Sequence, residues 1–279
     1  MFLGADGVPH PTYTAQMDLL TLRQGRAPLL ISVPHDGAHI PAALAARMQP
    51  EARIAPDTDW WMSQLYGPIA EALDASLIVP THSRYVVDLN RSPDDVSLYP
   101  GQNTTGLCPR VRFSGEPLYL DGEEPEAEEI TGRIATYWRP YHEALAAELA
   151  RLRSKHPRVL LWEGHSIAST LPFLFEGELP ELNLGTVTAT SCRLTVRDAV
   201  ASALAAQSRF SWVVDGRFKG GYITRHYGQP EQGIEALQLE IAQRAYMAEP
   251  SGRFDPVRAR PLQQTLQALI ETALGAAAR

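Results

Sequence analysis

Charged and amide side chains follow an apolar run at residues 84–91, Arg-Tyr-Val-Val-Asp-Leu-Asn-Arg. The apolar residues at 76–79 and 85–87 are typical of buried strand, so the polar side chains are expected to cluster at a strand end. Arginine can hold a carboxylate there through two parallel hydrogen bonds. A purely structural ion pair is the alternative, because such pairs also occur away from functional sites. The polar residues concerned are Arg84, Asp88, Asn90 and Arg91.

Two further segments each deliver a histidine at the end of an apolar strand. His35 ends the run Leu-Leu-Ile-Ser-Val-Pro-His, and His165 ends the run Val-Leu-Leu-Trp-Glu-Gly-His. In an open α/β sheet, ligands bind at the carboxyl ends of the strands, so both imidazoles are expected in one crevice. With a carboxylate from residues 57–59 they would form a zinc site of the two-histidine, one-carboxylate kind. The spacing differs from that of a helical His-Glu-x-x-His motif, so the ligands must converge from separate segments.

A third segment, residues 233–241, alternates apolar and polar residues and presents Glu240 near the end of a predicted strand. A carboxylate beside a metal ion can take a proton from water and later deliver it to a leaving amine. Glu240 is therefore the predicted general base. A glutamate on the solvent face of a strand is the alternative.

Ordered motifs along almost the whole chain resemble the N-formylglutamate amidohydrolase family. They are PLLISVPHDG (28–37), PDTDW (56–60), SRYVVDLNR (83–91), TTGL (104–107), WRPYH (138–142), LWEGHSI (161–167), NLGT (183–186), GRFKGGYITRHYG (216–228) and ALQLEI (236–241). The resemblance implies hydrolysis of N-formyl-L-glutamate to formate and L-glutamate in histidine catabolism. It also implies a three-layer αβα sandwich with a mixed, mostly parallel central sheet, similar to that of zinc carboxypeptidases.

The resemblance further implies roles for individual residues. The metal would be Zn²⁺ or another divalent transition metal, and the substrate an anionic N-acyl amino acid. The implied roles are metal ligands at His35 and His165, a carboxylate clamp at Asn90 and Arg91, polarisation of the scissile carbonyl by Arg84, and the base at Glu240.

Two departures from this pattern affect the metal site. Ala38 occupies the place of a ligand in carboxypeptidase-type sites, so the carboxylate must come from elsewhere. Asp59 is predicted in preference to Asp57 or Asp36. Glu163 stands where the family usually has aspartate, and it is expected, like Asp88, to support a histidine ligand through a hydrogen bond.

Composition limits the class of ligand. The net charge of −7 argues against nucleic acid, because phosphate binding requires a basic field. An acidic protein that binds a dicarboxylate must concentrate arginines locally. Arg225, in the glycine-rich segment 216–228, is predicted to bind the second carboxylate, although a surface loop residue is equally compatible with its position. Thr105, in the long Pro/Gly-rich connection 88–124, is predicted to line the substrate site.

The whole chain, residues 1–279, is expected to form one catalytic domain. Residues 125–156 carry a helical apolar stripe in which Pro140 should cause a kink, and residues 261–278 predict a second amphipathic helix after Pro261. Cys108 and Cys192 are expected to be free buried thiols. No leader or membrane span is predicted, which favours the cytoplasm, and the sequence does not indicate an oligomeric state.

Three other functions are compatible with parts of the sequence. A deacylase of another N-acyl amino acid, of the acylaspartate or succinylglutamate type, would use the same residues. A non-catalytic amino-acid-binding protein would keep the carboxylate clamp and need no metal. A serine hydrolase based on His165-Ser166 is disfavoured, because adjacent strand residues point to opposite faces and no Gly-x-Ser-x-Gly motif is present.

Overall fold

The computed structural model describes residues 19–98, 101 and 103–279. A seven-stranded sheet lies at the centre of this part of the chain. Its strands are β1 (Leu20–Arg23), β2 (Leu29–Ser32), β3 (Ser76–Pro80), β4 (Val159–Ile167), β5 (Leu182–Gly185), β6 (Trp212–Val214) and β7 (Ile234–Ala242). Their spatial order is β1-β3-β2-β4-β7-β5-β6. Only the β1–β3 and β5–β7 pairs are antiparallel, so the sheet is mixed and mostly parallel.

Helices cover both faces of this sheet. They are α1 (Ala42–Ala45), α2 (Met62–Ala72), α3 (Ala127–Arg133), α4 (Arg139–Arg153), α5 (Leu194–Ala206), α6 (Tyr222–Tyr227) and α7 (Pro256–Ala277). Buried residues of α2, α5 and α7 share one apolar cluster with the sheet, and buried residues of α4 share another on the opposite face. A small hairpin, β8 (Met247–Ala248) and β9 (Arg253–Phe254), precedes α7. These layers confirm the predicted αβα architecture.

The central strand β4 shows how the sheet positions polar groups. All nine of its residues are buried. Leu160 and Trp162 belong to the cluster beneath α7, whereas Leu161 belongs to the cluster beneath α4. Because side chains alternate along a strand, Glu163 and His165 share the α4 face with Leu161. The two polar side chains therefore lie side by side at the carboxyl end of a buried strand.

The kink predicted at Pro140 is confirmed as a change of helix type. A π-helical turn, Ile134–Trp138, separates α3 from α4, and Pro140 is the second residue of α4. Proline has no amide hydrogen to donate to the preceding turn, so the regular α-helical hydrogen-bond pattern cannot run through this position. The predicted apolar stripe continues along α4 as Tyr141, Leu145, Leu149 and Leu152, all buried.

The prediction that residues 85–87 belong to a strand is wrong. Strand β3 ends at Pro80, and the chain then turns, with the backbone N–H of Val86 donating to the carbonyl of Ser83 (2.9 Å). Val87 joins the buried cluster that includes α4, whereas Tyr85 and Val86 join a separate buried cluster. Burial of a loop, rather than strand formation, explains the apolar pattern.

The predicted start of the last helix at Pro261 is also wrong. Helix α7 begins at Pro256, where Asp255 caps it by accepting hydrogen bonds from Val257 N (2.9 Å) and Arg258 N (3.3 Å). Proline suits the first position of a helix, because the amide there needs no intrahelical partner. Pro261 lies inside α7, where it removes one intrahelical donor, and the helix continues to Ala277. Among the described residues, no helix is long and apolar enough to cross a membrane.

Candidate active site and metal centre

The candidate site lies at the carboxyl ends of the paired parallel strands β4 and β7. In their register Glu163 is opposite Gln238, and His165 is opposite Glu240. All four side chains are buried. Since they occupy alternate positions on neighbouring strands, they form a polar patch on one face of the sheet. Glu240, which was predicted near the end of a strand, is thus placed beside His165.

Two loops add His35 and Asp59 to this patch. His35 follows β2, and the backbone N–H of Asp59 donates to the His35 carbonyl (3.0 Å). The Oδ2 atom of Asp59 lies 3.0 Å from His165 Nδ1 and 3.7 Å from His35 Nδ1. One ligand atom from each of these three buried residues falls within 4.8 Å of the others. The sequence-predicted set His35, Asp59 and His165 is therefore brought together.

The Nε2 nitrogen of each histidine is bonded to a further buried carboxylate, a different one for each ring. His35 Nε2 donates to Asp88 Oδ1 (2.7 Å), and His165 Nε2 donates to Glu163 Oε1 (2.6 Å). Such partners keep the proton on Nε2, so Nδ1, the nitrogen nearer Asp59, is the atom that would coordinate a metal ion. This is the arrangement that histidine ligands of a metal ion commonly have.

The chemistry of this donor set fits a divalent transition metal. Two imidazole nitrogens and a carboxylate are ligands that zinc prefers. Asp59 Oδ1 is buried and accepts no hydrogen bond from any described residue. The other two candidates are occupied elsewhere, because Asp57 accepts from Phe113 N (2.7 Å) and Asp36 accepts from Met62 N (2.8 Å). Asp59 is the carboxylate that belongs to the cluster.

Arg84 brings a buried positive charge to the same cluster. Its Nη1 lies 3.8 Å from Asp59 Oδ1, its Nη2 lies 3.6 Å from Asp88 Oδ2, and it also donates to His35 Nδ1. The guanidinium carbon lies 4.8 Å from the centre of the Phe113 ring. Burial disfavours the charged form, but the surrounding carboxylates outweigh it and raise the pKa of Arg84. Arg84 therefore stays a cation in this site.

The pKa values of two carboxyl groups in the site, those of Asp59 and Glu240, are shifted in opposite directions. Burial works to raise the pKa of Asp59, but the Arg84 cation, the hydrogen bond with His165 and the nearby His35 outweigh it and hold that pKa well below its usual range. Burial raises the pKa of Glu240 to about 8, and the nearby Asp59 charge acts in the same direction. A group that titrates near neutrality can both accept and donate a proton, which general acid–base catalysis requires.

Glu163 uses both of its carboxylate oxygens. Oε1 accepts from His165, and Oε2 accepts from the Thr224 hydroxyl on α6. Burial would lower the pKa of His165, but Glu163 and Asp59 outweigh it and raise that pKa to about 10 in the absence of metal. Glu163 thus links His165 to α6.

This contact predicts that Thr224 supports metal binding. Replacing Thr224 by the isosteric valine should weaken metal affinity about tenfold, at the lower end of the range for groups that orient a metal-ligating histidine. Replacing it by serine should leave affinity close to that of the wild type, since the hydroxyl is kept. Competition with a chromophoric chelator measures both values. Equal affinities for the two variants would exclude this role.

Asn90 holds α6 against the site. Its amide oxygen accepts from Ile223 N (2.8 Å), and its amide nitrogen lies 3.0 Å from His165 Nε2. A Cβ added at Gly221 would lie 2.2 Å from that amide nitrogen, so glycine is required for this close approach. A role for Asn90 in binding a substrate carboxylate stays a prediction.

A cavity of about 70 Å³ opens onto the cluster. Arg91 lines it, with its Nε donating to the carbonyl of Thr105 (2.9 Å). The Thr105 side chain is buried there, and its hydroxyl makes no hydrogen bond with any described residue. The lining residues include the polar groups His35, Arg84, Asn90, Arg91, Thr105, His165, Arg217, Gln238 and Glu240 and the apolar groups Phe113, Ile167, Leu174 and Phe218.

Arg225 is placed differently from the prediction. It lies on α6, its Nε donates to the carbonyl of Gly220 (3.0 Å), and it is not among the described residues that line the cavity. Sequence reasoning also did not select Gln238, whose Oε1 accepts from Gly221 N (2.7 Å). Gln238 could have been selected from the sequence, because it lies two residues before Glu240 and therefore on the same face of a strand.

Comparisons with a family model and with known sequences agree on one family. Residues 27–247 match the model of the N-formylglutamate amidohydrolase family. The chain is 49% identical over 232 residues to an N-formylglutamate deformylase of Pseudomonas aeruginosa, a match that covers 83% of this chain and 86% of the relative. It is 45% identical over 257 residues to an N-formylglutamate deformylase of Pseudomonas putida, covering 92% and 96% of the two chains.

Solved structures show the same fold. An N-formylglutamate amidohydrolase from Ralstonia eutropha JMP134 superposes with a TM-score of 0.77 at 24% identity, covering 94% of this chain and 98% of that chain. A gene product of Agrobacterium tumefaciens superposes with a TM-score of 0.70 at 16% identity, covering 93% and 96% of the two chains.

Proposed function

Since the chain belongs to the N-formylglutamate amidohydrolase family, we propose that it is a metal-dependent deformylase with zinc as its ion. It hydrolyses N-formyl-L-glutamate to formate and L-glutamate, the reaction that the names of its curated relatives describe. The buried group of His35, Asp59 and His165 is the observation that supports the metal. The proposed place in histidine catabolism agrees with these names, and a cytoplasmic location stays a prediction.

The three ligands would hold the ion at the carboxyl ends of the strands. When bound, zinc would supply Lewis acidity, which lowers the pKa of water and polarises the formyl carbonyl. Asp88 and Glu163 keep the histidines in the tautomer that can coordinate. The same two carboxylates also fix the orientation of both imidazole rings.

Glu240 performs the proton transfers. It takes a proton from the attacking water and later delivers a proton to the nitrogen of the departing glutamate. Arg84 lies beside the same cluster and stabilises negative charge that develops on the formyl oxygen. Arg91 and Thr105, on the wall of the cavity, bind the α-carboxylate of the substrate.

The experiment that tests this function is formate release from N-formyl-L-glutamate before and after chelation. We expect the chelated protein to lose nearly all turnover and one equivalent of zinc per chain to restore it, with metal content measured by mass spectrometry. A chain that releases formate at full rate without metal would contradict the metal part of the proposal. Zinc-loaded protein that is inert on formylglutamate would contradict the substrate part.

A deacylase of another N-acyl amino acid is the second candidate. The two candidates differ in the size of the acyl group that must fit in the cavity beside His35 and His165. A series of formyl, acetyl and succinyl glutamates separates the two candidates. A serine hydrolase is disfavoured further, since the Ser166 hydroxyl is bonded to Tyr246 (2.7 Å) on the opposite face of β4 from His165.

A further inference from the structure

Three arginines are among the described residues that line the cavity. Arg84 pairs with Asp59 and Asp88, and Arg91 and Arg217 are the other two. A formylated dicarboxylic amino acid brings two carboxylates, and Arg91 accounts for one. We propose that Arg217 binds the side-chain carboxylate of the substrate and so makes the enzyme selective for a dicarboxylic amino acid. This inference rests on the proposed function.

The backbone fixes the guanidinium group of Arg217 at the cavity. Its Nε donates to the carbonyl of Leu174 (3.2 Å), and its Nη2 donates to the carbonyl of Asn103 (3.2 Å). The guanidinium carbon also lies 5.3 Å from the centre of the Phe218 ring. Contacts with two separate loops and a ring hold the long side chain in one position. A preorganised arginine loses little conformational entropy when it binds a carboxylate.

Arg91 and Arg217 are held by the same short segment of chain. Arg91 Nε donates to the carbonyl of Thr105, and Arg217 Nη2 donates to the carbonyl of Asn103. Both arginines are therefore anchored to one short segment, residues 103–105, on the wall of the same cavity. Two anchored cations in one cavity suit a substrate with two carboxylates.

Apolar side chains complete this part of the cavity. Phe113, Ile167, Leu174 and Phe218 line it together with Arg217. Apolar surroundings reduce the local dielectric constant and strengthen an ion pair between arginine and carboxylate. They also provide contact surface for the methylene groups of the substrate. A neutral side-chain amide in the same place would leave the arginine without this pairing.

The test compares N-formyl-L-glutamate with N-formyl-L-glutamine, which has nearly the same shape and no side-chain charge. We expect Arg217→Met to lower kcat/KM for formylglutamate by roughly 10²-fold, mainly through KM, because one partner of a desolvated charge pair is removed. Its kcat/KM for formylglutamine should stay within about threefold of the wild type, since no ion pair is lost. Arg217→Lys should recover part of the preference because it keeps a positive charge.

Arg209→Met is the matched control, because it removes the same charge from an exposed position after α5. It should leave the preference unchanged. An equal loss on both substrates by Arg217→Met would indicate a structural role and overturn the inference, as would an unchanged preference in either Arg217 variant. Thermal unfolding and metal content identify a variant that fails to fold, and the lysine variant then carries the test. Wild-type protein that hydrolyses both substrates equally well would refute this inference but not the proposed function.

Discussion

The Glu240→Gln variant should retain its metal and lose most of its turnover. We expect kcat to fall by about 10²- to 10⁴-fold, the usual contribution of a positioned general acid–base group. Among the described residues that line the cavity, Glu240 is the one carboxylate. Glutamine keeps the size of the side chain but can neither accept the proton from water nor return it to the leaving nitrogen. Steady-state formate release and metal content by mass spectrometry measure the two effects.

Gln238→Glu is an informative companion to this variant, because position 238 lies on the same face of β7 as Glu240. Introduced into the Glu240→Gln protein, it moves the carboxylate along the strand without restoring it opposite His165. We expect it to recover little activity, since proton transfer depends on a hydrogen-bond distance. If Glu240→Gln alone kept a kcat near that of the wild type, Glu240 would not be the base.

A bound metal ion would also determine whether Glu240 is in its basic form. Burial raises the pKa of Glu240 to about 8 in the metal-free protein, so much of the group is protonated at neutral pH. A divalent cation held by His165 and Asp59 would favour the ionised form and lower this pKa. Metal binding and activation of the proposed base would thus be coupled, because the same positive charge would serve both.

The strand pattern predicted much of the site, because strand periodicity fixes which side chains share a face. His165 and Glu240 lie on buried strands, and their relation follows from alternation and from the meeting of parallel strands at one edge. The choice of Asp59 over its neighbours could not be decided in this way. It lies in a loop, where the direction of a side chain depends on tertiary contacts such as the bond to His35.

Other features of the site could not be predicted from the local sequence pattern, because they too depend on tertiary contacts. The Thr224 hydroxyl reaches Glu163 only because α6 packs over the end of β4, although the two positions are 61 apart in the sequence. Similarly, the glycine-rich segment was identified as a candidate for binding a carboxylate, but its sequence does not tell which arginine faces the cavity. The structure places Arg217 there and directs Arg225 to a backbone carbonyl.

Removal of the Arg84 guanidinium should have the second largest effect on catalysis. We expect Arg84→Met to lower kcat by about 10²- to 10³-fold, the loss found when a group that stabilises a developing oxyanion is deleted. Stability should fall as well, by about 3–5 kcal/mol, because the buried carboxylates of Asp59 and Asp88 lose their cation. Formate release per metal-loaded chain and chemical denaturation measure these two quantities separately.

Arg84→Lys distinguishes the catalytic role from the structural one. Lysine restores a positive charge beside Asp59 and Asp88, so stability should recover in part. It cannot reproduce the planar fork of donors, and its stem cannot reach the carboxylates and the formyl oxygen together, so kcat should stay well below that of the wild type. A role confined to structure would give the opposite result: turnover per metal-loaded, folded chain would equal that of the wild type in both variants, and only the denaturation midpoint would change.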